Sequence, residues 1–362
     1  MDDRTRPSQT ETLIGLVERY SPSRNERAAV EWLVRRMQML GFNQAGMDGA
    51  GNAVGVLGKG PKQVLLLGHI DTFPGEIPLR VEDGILYGRG CVDAKGALAC
   101  FTDAVIKVGA PDGWQFVVIG AVDEERDSLG ARYVVDRYTP DYAIIGEPNR
   151  WDRVALGYKG SAWADLSIRR KQAHTASGES TASEQGVAAW LAIQAFAEAF
   201  NQGKERAFDK VLTSLNAFTS GADDFQQWAR LHVMTRLPPD ISPDQWYQRL
   251  EEITAKAVAG YGASMQIEPA GFPVPAWQCQ KNTPLVRAML SSIRAQGGSP
   301  SFVYKTGTAD LNIVAPVWGC PMLVYGPGDS AYDHTPDEQI RLEEYVQAVQ
   351  VLAAALKTLT AS

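Results

Sequence analysis

Short apolar runs alternate with longer amphipathic stretches through the first half of the chain. The runs at 53–57, 64–67, 116–119 and 142–145 have strand length and no polar interruption, so they predict buried strands. The stretches at 11–20, 26–40, 95–108 and 128–138 place apolar residues at helical spacing, and the second closes at Gly41. Strand and helix in alternation predict an α/β fold: a mostly parallel sheet with helices on both faces.

The middle of the chain has another rhythm. Residues 161–168 alternate like a half-exposed strand, 181–202 form a strong amphipathic helix, and 230–236 read as a strand. A helix over 244–260 and a strand over 264–268 follow. This predicts a smaller α+β unit inserted into the first. Beyond it, helices at 284–296 and 343–359 flank a strand at 321–325 that would rejoin the first sheet. The expected organisation is a discontinuous catalytic domain, 1–156 and 269–362, carrying an inserted α+β domain at 157–268.

Composition narrows the function. Hydrophobic residues make up 45% of the 362, enough for a sizeable core. The net charge of −7 argues against general nucleic-acid affinity. Residues 1–10 lack the apolar stretch of a signal peptide, and no apolar run approaches the roughly 20 residues that span a bilayer. Cys91, Cys100, Cys279 and Cys320 form no CxxC pair, so they read as reduced, mostly buried thiols of a cytoplasmic protein.

Several metal-ligand residue types fall just past the ends of the apolar runs. His69 follows 64–68, Asp123-Glu124-Glu125 follows 116–122, Glu147 follows 143–146, and His334 follows 322–325 and a Gly-rich loop. In open parallel sheets the functional crevice lies beyond the carboxyl ends of the strands, so one fold would gather all four segments. Imidazole and carboxylate suit Zn²⁺ and its neighbours. Asp71, two residues past His69, is placed to orient the imidazole. Asp93, where a helix begins, is either a bridging carboxylate or a plain helix N-cap. Taken singly, Glu124-Glu125 is a solvated acidic pair and Glu147-Pro148 a turn. Their coincidence at strand ends, in a chain with only four histidines, favours a metal centre. The chain has no G-x-S-x-G elbow and no P-loop.

The strings Gly68-His69-Ile70-Asp71-Thr72, Tyr87-Gly88-Arg89-Gly90-Cys91-Val92-Asp93-Ala94-Lys95-Gly96, Asp123-Glu124-Glu125 and Gly146-Glu147-Pro148 resemble those of the M20 metallopeptidase family. The resemblance covers nearly the whole chain. It implies an amide hydrolase with two divalent ions, zinc or cobalt. His69, Asp93 and Glu147 would hold one ion; Asp93, Glu125 and His334 would hold the other, with Asp93 bridging. Glu124 would be the general base and Asp71 the orienter of His69. His174 would stabilise the oxyanion, in some members from the partner subunit, and Arg236 would grip a substrate carboxylate. The inserted domain would serve as lid and dimerisation domain of a homodimer.

Within the family, Leu156-Gly157-Tyr158-Lys159-Gly160, Lys305-Thr306-Gly307-Thr308-Ala309-Asp310-Leu311-Asn312 and Tyr325-Gly326-Pro327-Gly328-Asp329-Ser330 resemble the [LysW]-lysine/[LysW]-ornithine hydrolase branch. That branch implies a substrate in which lysine or ornithine is joined through its α-amine to the terminal glutamate of a small acidic amino-group carrier protein. The nearest competing expectation is a deacetylase of the N-acetylornithine type. An acidic carrier meeting a chain at −7 needs a local basic patch. Arg150, Arg153, Lys159, Arg169, Arg170 and Lys171 are the expected set.

Overall fold

The structure is a computed structural model and describes residues 9–259 and 262–361. The chain divides into two compact units. The first comprises residues up to Gly157 together with Cys279–Tyr304 and Ala309 onward; the second is Tyr158–Gln278 with Lys305–Thr308. The second unit thus runs past 268 and takes in a short later segment.

The first unit is built on a large sheet whose central strands are parallel. Strand Lys62–His69 lies between Trp114–Ala121 and Tyr142–Gly146, parallel to both, and Met322–Val324 runs parallel on the far side of Tyr142–Gly146. Ala53–Gly58 joins Trp114–Ala121 antiparallel, and Arg153–Tyr158 joins Met322–Val324 antiparallel. The central strands are buried almost end to end, which is why they read as unbroken apolar runs. Helix Lys95–Val108 packs on this sheet, and its fit is tight where the glycines lie. A Cβ on Gly146 would stand 2.9 Å from Phe101 and 3.1 Å from the Gly68 backbone. Helix Leu342–Thr360 packs beside it, with Tyr345, Leu352 and Leu356 buried, and the Tyr345 hydroxyl donates to Asp103 at 2.7 Å.

A small three-stranded sheet pairs Gln339–Arg341 antiparallel with Ile85–Tyr87, which pairs in turn with Arg80–Glu82.

The second unit is a four-stranded antiparallel sheet in the order Leu212–Ala222, Gln226–Leu237, Gly160–Lys171, Ser264–Val274. Helices Ala182–Asn201 and Pro243–Val258 cover it, and each starts at a capping box, Thr181 with Glu184 and Ser242 with Gln245. Leu166, Ile168, Ile193, Leu231, Val233, Trp246 and Leu250 form its core. Among the described residues no helix is long and apolar enough to cross a membrane.

Candidate metal centre

Parallel register brings the ligand-type residues to one sheet edge. His69 is paired with Ala121 and Gly68 with Gly146. The strand ends are therefore level, and Asp123-Glu124-Glu125 and Glu147 emerge beside His69. Val324 is level with Ile145, so the loop after it, which carries His334, leaves from the same edge. Asp93 arrives from another direction, at the start of helix Lys95–Val108.

The side chains converge. His69, Asp93 and Glu125 offer ligand atoms that all lie within 4.8 Å of one another. The two Asp93 oxygens address different histidines: Oδ1 is 3.3 Å from His69 Nε2, and Oδ2 is 3.1 Å from His334 Nε2. Glu125 also reaches His334 Nε2 at 3.1 Å. Phe73 stacks on the His334 ring, centroids 4.2 Å apart and planes 12° apart.

Asp71 organises this cluster through His69 and through the backbone of the acidic loop. Its backbone oxygen is 3.0 Å from His69 Nδ1, and its Oδ1 is 3.5 Å from the same atom. The carboxylate then accepts the backbone N–H groups of Glu124 at 3.0 Å and Glu125 at 3.1 Å, and the Ser23 hydroxyl at 2.8 Å. One buried carboxylate thus fixes both the imidazole and the acidic loop. Glu26 adds a further brace, accepting Asp123 N–H at 3.2 Å, where Asp123 has the left-handed φ of 65°.

The electrostatics are those of a cation site. Burial raises the carboxyl pKa of Glu124 and Glu147 well above the usual range, and neighbouring carboxylates push the same way. Burial also raises Asp310, to about 7. On His69, burial opposes the charged ring, but Asp71 and Asp93 outweigh it and hold the pKa well up. Hydrogen bonds donated by the ring to the carboxylates of Asp93 and Glu125 lift the His334 pKa to about 10. Both carboxylate oxygens of Asp310 are buried, and among the described residues neither accepts a hydrogen bond of ordinary geometry, although Ser128 lies near enough to favour the charged form. So many buried acids facing two imidazoles fit divalent ions by donor type and by charge.

The two residues expected from the inserted domain lie in the second unit. His174 is exposed, and its Nδ1 accepts the Ala176 N–H at 3.1 Å. Arg236, half-buried in strand Gln226–Leu237, donates to Thr308 Oγ1 at 3.1 Å.

The expected basic patch is corrected in part. Lys159 is fully buried, and its ammonium donates to the carbonyls of Ala207, Phe208 and Lys210. Arg170 falls on the inner side of its strand with Leu166 and Ile168, and its guanidinium binds Glu179 and the Ser180 carbonyl. Strand alternation, invisible in a run of three cations, turns the middle one inward. Arg169 and Lys171 remain exposed. Arg150 is paired with Asp329.

Two residues the sequence did not single out for a role adjoin the site. Asp310 is buried in the segment Lys305-Thr306-Gly307-Thr308-Ala309-Asp310-Leu311-Asn312. Glu338 follows His334 by four and binds the segment that carries Asp93.

Residues 65–358 match the model of peptidase family M20/M25/M40. The chain is 43% identical to a [LysW]-lysine hydrolase of Deinococcus radiodurans over 91% of this chain and 90% of that one. It is 39% identical to a Thermococcus kodakarensis protein with the provisional name [LysW]-lysine/[LysW]-ornithine hydrolase, over 97% of this chain and 92% of its relative. Among solved structures, a Staphylococcus aureus tripeptidase superposes with a TM-score of 0.79 at 17% identity, covering 98% of each chain. That likeness concerns the fold.

Proposed function

Because this chain belongs to peptidase family M20/M25/M40, we propose that it is a metal-dependent hydrolase that frees lysine, or ornithine, from the terminal glutamate of a small acidic amino-group carrier protein. The observation that carries this reading is the 43% identity to a [LysW]-lysine hydrolase along nine-tenths of both chains. The convergence of His69, Asp93, Glu125 and His334 supports the same chemistry.

His69, Asp93 and Glu147 would hold one ion, and Asp93, Glu125 and His334 the other; zinc and cobalt suit this mixed nitrogen and oxygen set. Divalent ions there would polarise the amide carbonyl and make the attacking water more acidic. Glu124 takes the proton of that water and delivers it to the departing α-amine. Burial raises its carboxyl pKa, which strengthens the carboxylate as the base that accepts this proton. Asp71 keeps His69 in the orientation that presents Nε2 inward. His174 donates to the oxyanion, and Arg236 grips the carboxylate of the amino acid being released. We place this activity in the cytoplasm, where cysteines stay reduced, and read the active form as a homodimer.

Purified protein would be assayed with carrier-linked lysine, carrier-linked ornithine and the N-acetyl forms of both. Turnover of a carrier-linked substrate at a kcat/KM well above that of its N-acetyl form is expected. Preference for N-acetylornithine would replace the reading with a small-acyl deacetylase. Metal chelation should abolish turnover and Zn²⁺ or Co²⁺ restore it.

A further inference from the structure

Glu338 is wholly buried, and its carboxylate is saturated by one short segment of chain. Oε1 accepts the backbone N–H groups of Val92 at 2.9 Å and Asp93 at 3.0 Å. Oε2 accepts the Gly90 N–H at 3.0 Å and Arg89 Nη1 at 3.0 Å. Four donors on two oxygens leave this acid little capacity for anything else.

The chain is folded to make this grip. Strand Gln339–Arg341 pairs with Ile85–Tyr87, residue 339 opposite 87, which brings Glu338 alongside the turn that begins at Gly88. The Glu338 carbonyl itself accepts the Gly88 N–H at 3.4 Å. The turn then points its N–H groups inward, and Gly90 permits this with φ 87°. A Cβ there would also stand 2.7 Å from Thr72 Cγ2.

What the grip joins matters more than its strength. On one side is Asp93, whose own N–H is held. On the other is His334, four residues before Glu338. These are the two side chains that meet at 3.1 Å in the cluster, and they come from segments far apart in sequence. Asp93 and His334 share no secondary-structure element. The small sheet and this carboxylate tie their two segments together.

We propose that Glu338 is a positioning residue that fixes the distance between Asp93 and His334, and so sets the affinity of the His334 side of the centre for a divalent ion. The proposal rests on the reading that the cluster holds divalent ions. Glu338→Gln is the informative change. Each oxygen takes two donors, so whichever way the amide turns, its NH₂ faces two of them and two hydrogen bonds are lost. Glu338→Asp keeps the charge but is one methylene shorter, and should restore part of the effect.

Metal-free natural protein, Glu338→Gln and Glu338→Asp would be titrated with Co²⁺ and followed by visible absorbance, with thermal unfolding of the metal-free forms measured alongside. The natural chain should bind two ions. In Glu338→Gln the ion on the His334 side should lose about 10–100-fold in affinity, the range for groups that orient metal ligands. The ion on the His69 and Glu147 side should change much less. Glu338→Asp should fall between. A Glu338→Gln protein that melts lower but binds both ions within twofold of the natural chain would overturn the proposal, leaving Glu338 a fold residue only. If Glu338→Gln does not fold, equal Co²⁺ binding by Glu338→Asp and the natural chain would overturn it equally. A natural chain that binds no Co²⁺ would bring down the metal reading itself, which is a separate result.

Discussion

The phenyl ring of Phe73 lies flat against the imidazole of His334, 4.2 Å away. His334 needs such support. It has the left-handed φ of 58°, uncommon outside glycine, and its side chain is nearly half exposed. Its other ties are the carboxylates of Asp93 and Glu125, which a bound ion would engage. The stack therefore holds the ring plane independently of the carboxylates.

Phe73→Ala should loosen the ring without touching any proposed ligand. Aromatic pairs contribute about 0.5–1.5 kcal/mol beyond burial, which corresponds to roughly two- to tenfold in the affinity of the ion next to His334. Phe73→Trp should preserve most of it. Co²⁺ titration reads this directly; unchanged affinity in Phe73→Ala would mean the carboxylates alone orient His334.

Glu124 and Glu125 are adjacent but should fail differently. Asp71 holds the backbone N–H of each, so replacing either side chain leaves the loop in place. Glu124→Gln should retain both ions and lose about 10²–10⁴-fold in kcat, the usual contribution of a proton-transfer group. Glu125→Gln should instead weaken one ion, with activity recovered at high metal concentration. Near-natural kcat in Glu124→Gln would reassign the base.

Arg236→Ala should raise KM strongly, because a guanidinium holds a carboxylate through two parallel hydrogen bonds, and Arg236→Lys should rescue poorly. Thr308 accepts from one guanidinium nitrogen, so Thr308→Val should raise KM by a smaller factor. Equal cleavage of free-acid and amidated substrates by the natural enzyme would remove carboxylate binding from Arg236.

The parts of the fold legible in the sequence are those buried on both faces. Lys62–His69 and Tyr142–Gly146 announce themselves as apolar runs, and the ligand-type residues follow because parallel strands end at one edge. Strand Leu212–Ala222 gave no such signal: it is an edge strand, mostly exposed, with a break in register at Leu215. Helix Leu311–Trp318 is obscured by an internal proline. Glu338 was illegible for another reason. Its partners are mainly backbone N–H groups some 245 residues earlier, and backbone donors leave no mark in residue type. The burial of Lys159 and Arg170 is likewise a matter of parity and of distant carbonyls, not of composition.

That parity sharpens the test of carrier recognition. If an acidic carrier is drawn to cations beside one another on strand Gly160–Lys171, only Arg169 and Lys171 present charge to solvent. Reversing both to Glu should lower kcat/KM for carrier-linked lysine on the order of tenfold, since steering acts on the encounter rate. It should spare an uncharged N-acyl substrate. The carrier reaction of the natural enzyme should also slow as salt rises to physiological strength, where the Debye length is about 8 Å. Arg170→Glu is the control. It sets a second carboxylate against Glu179 inside the strand's inner face, so it should lower the melting temperature. It should slow both substrates together. A carrier reaction indifferent both to salt and to the Arg169 and Lys171 reversals would mean that the carrier is recognised without this strand, through contacts near the amide itself.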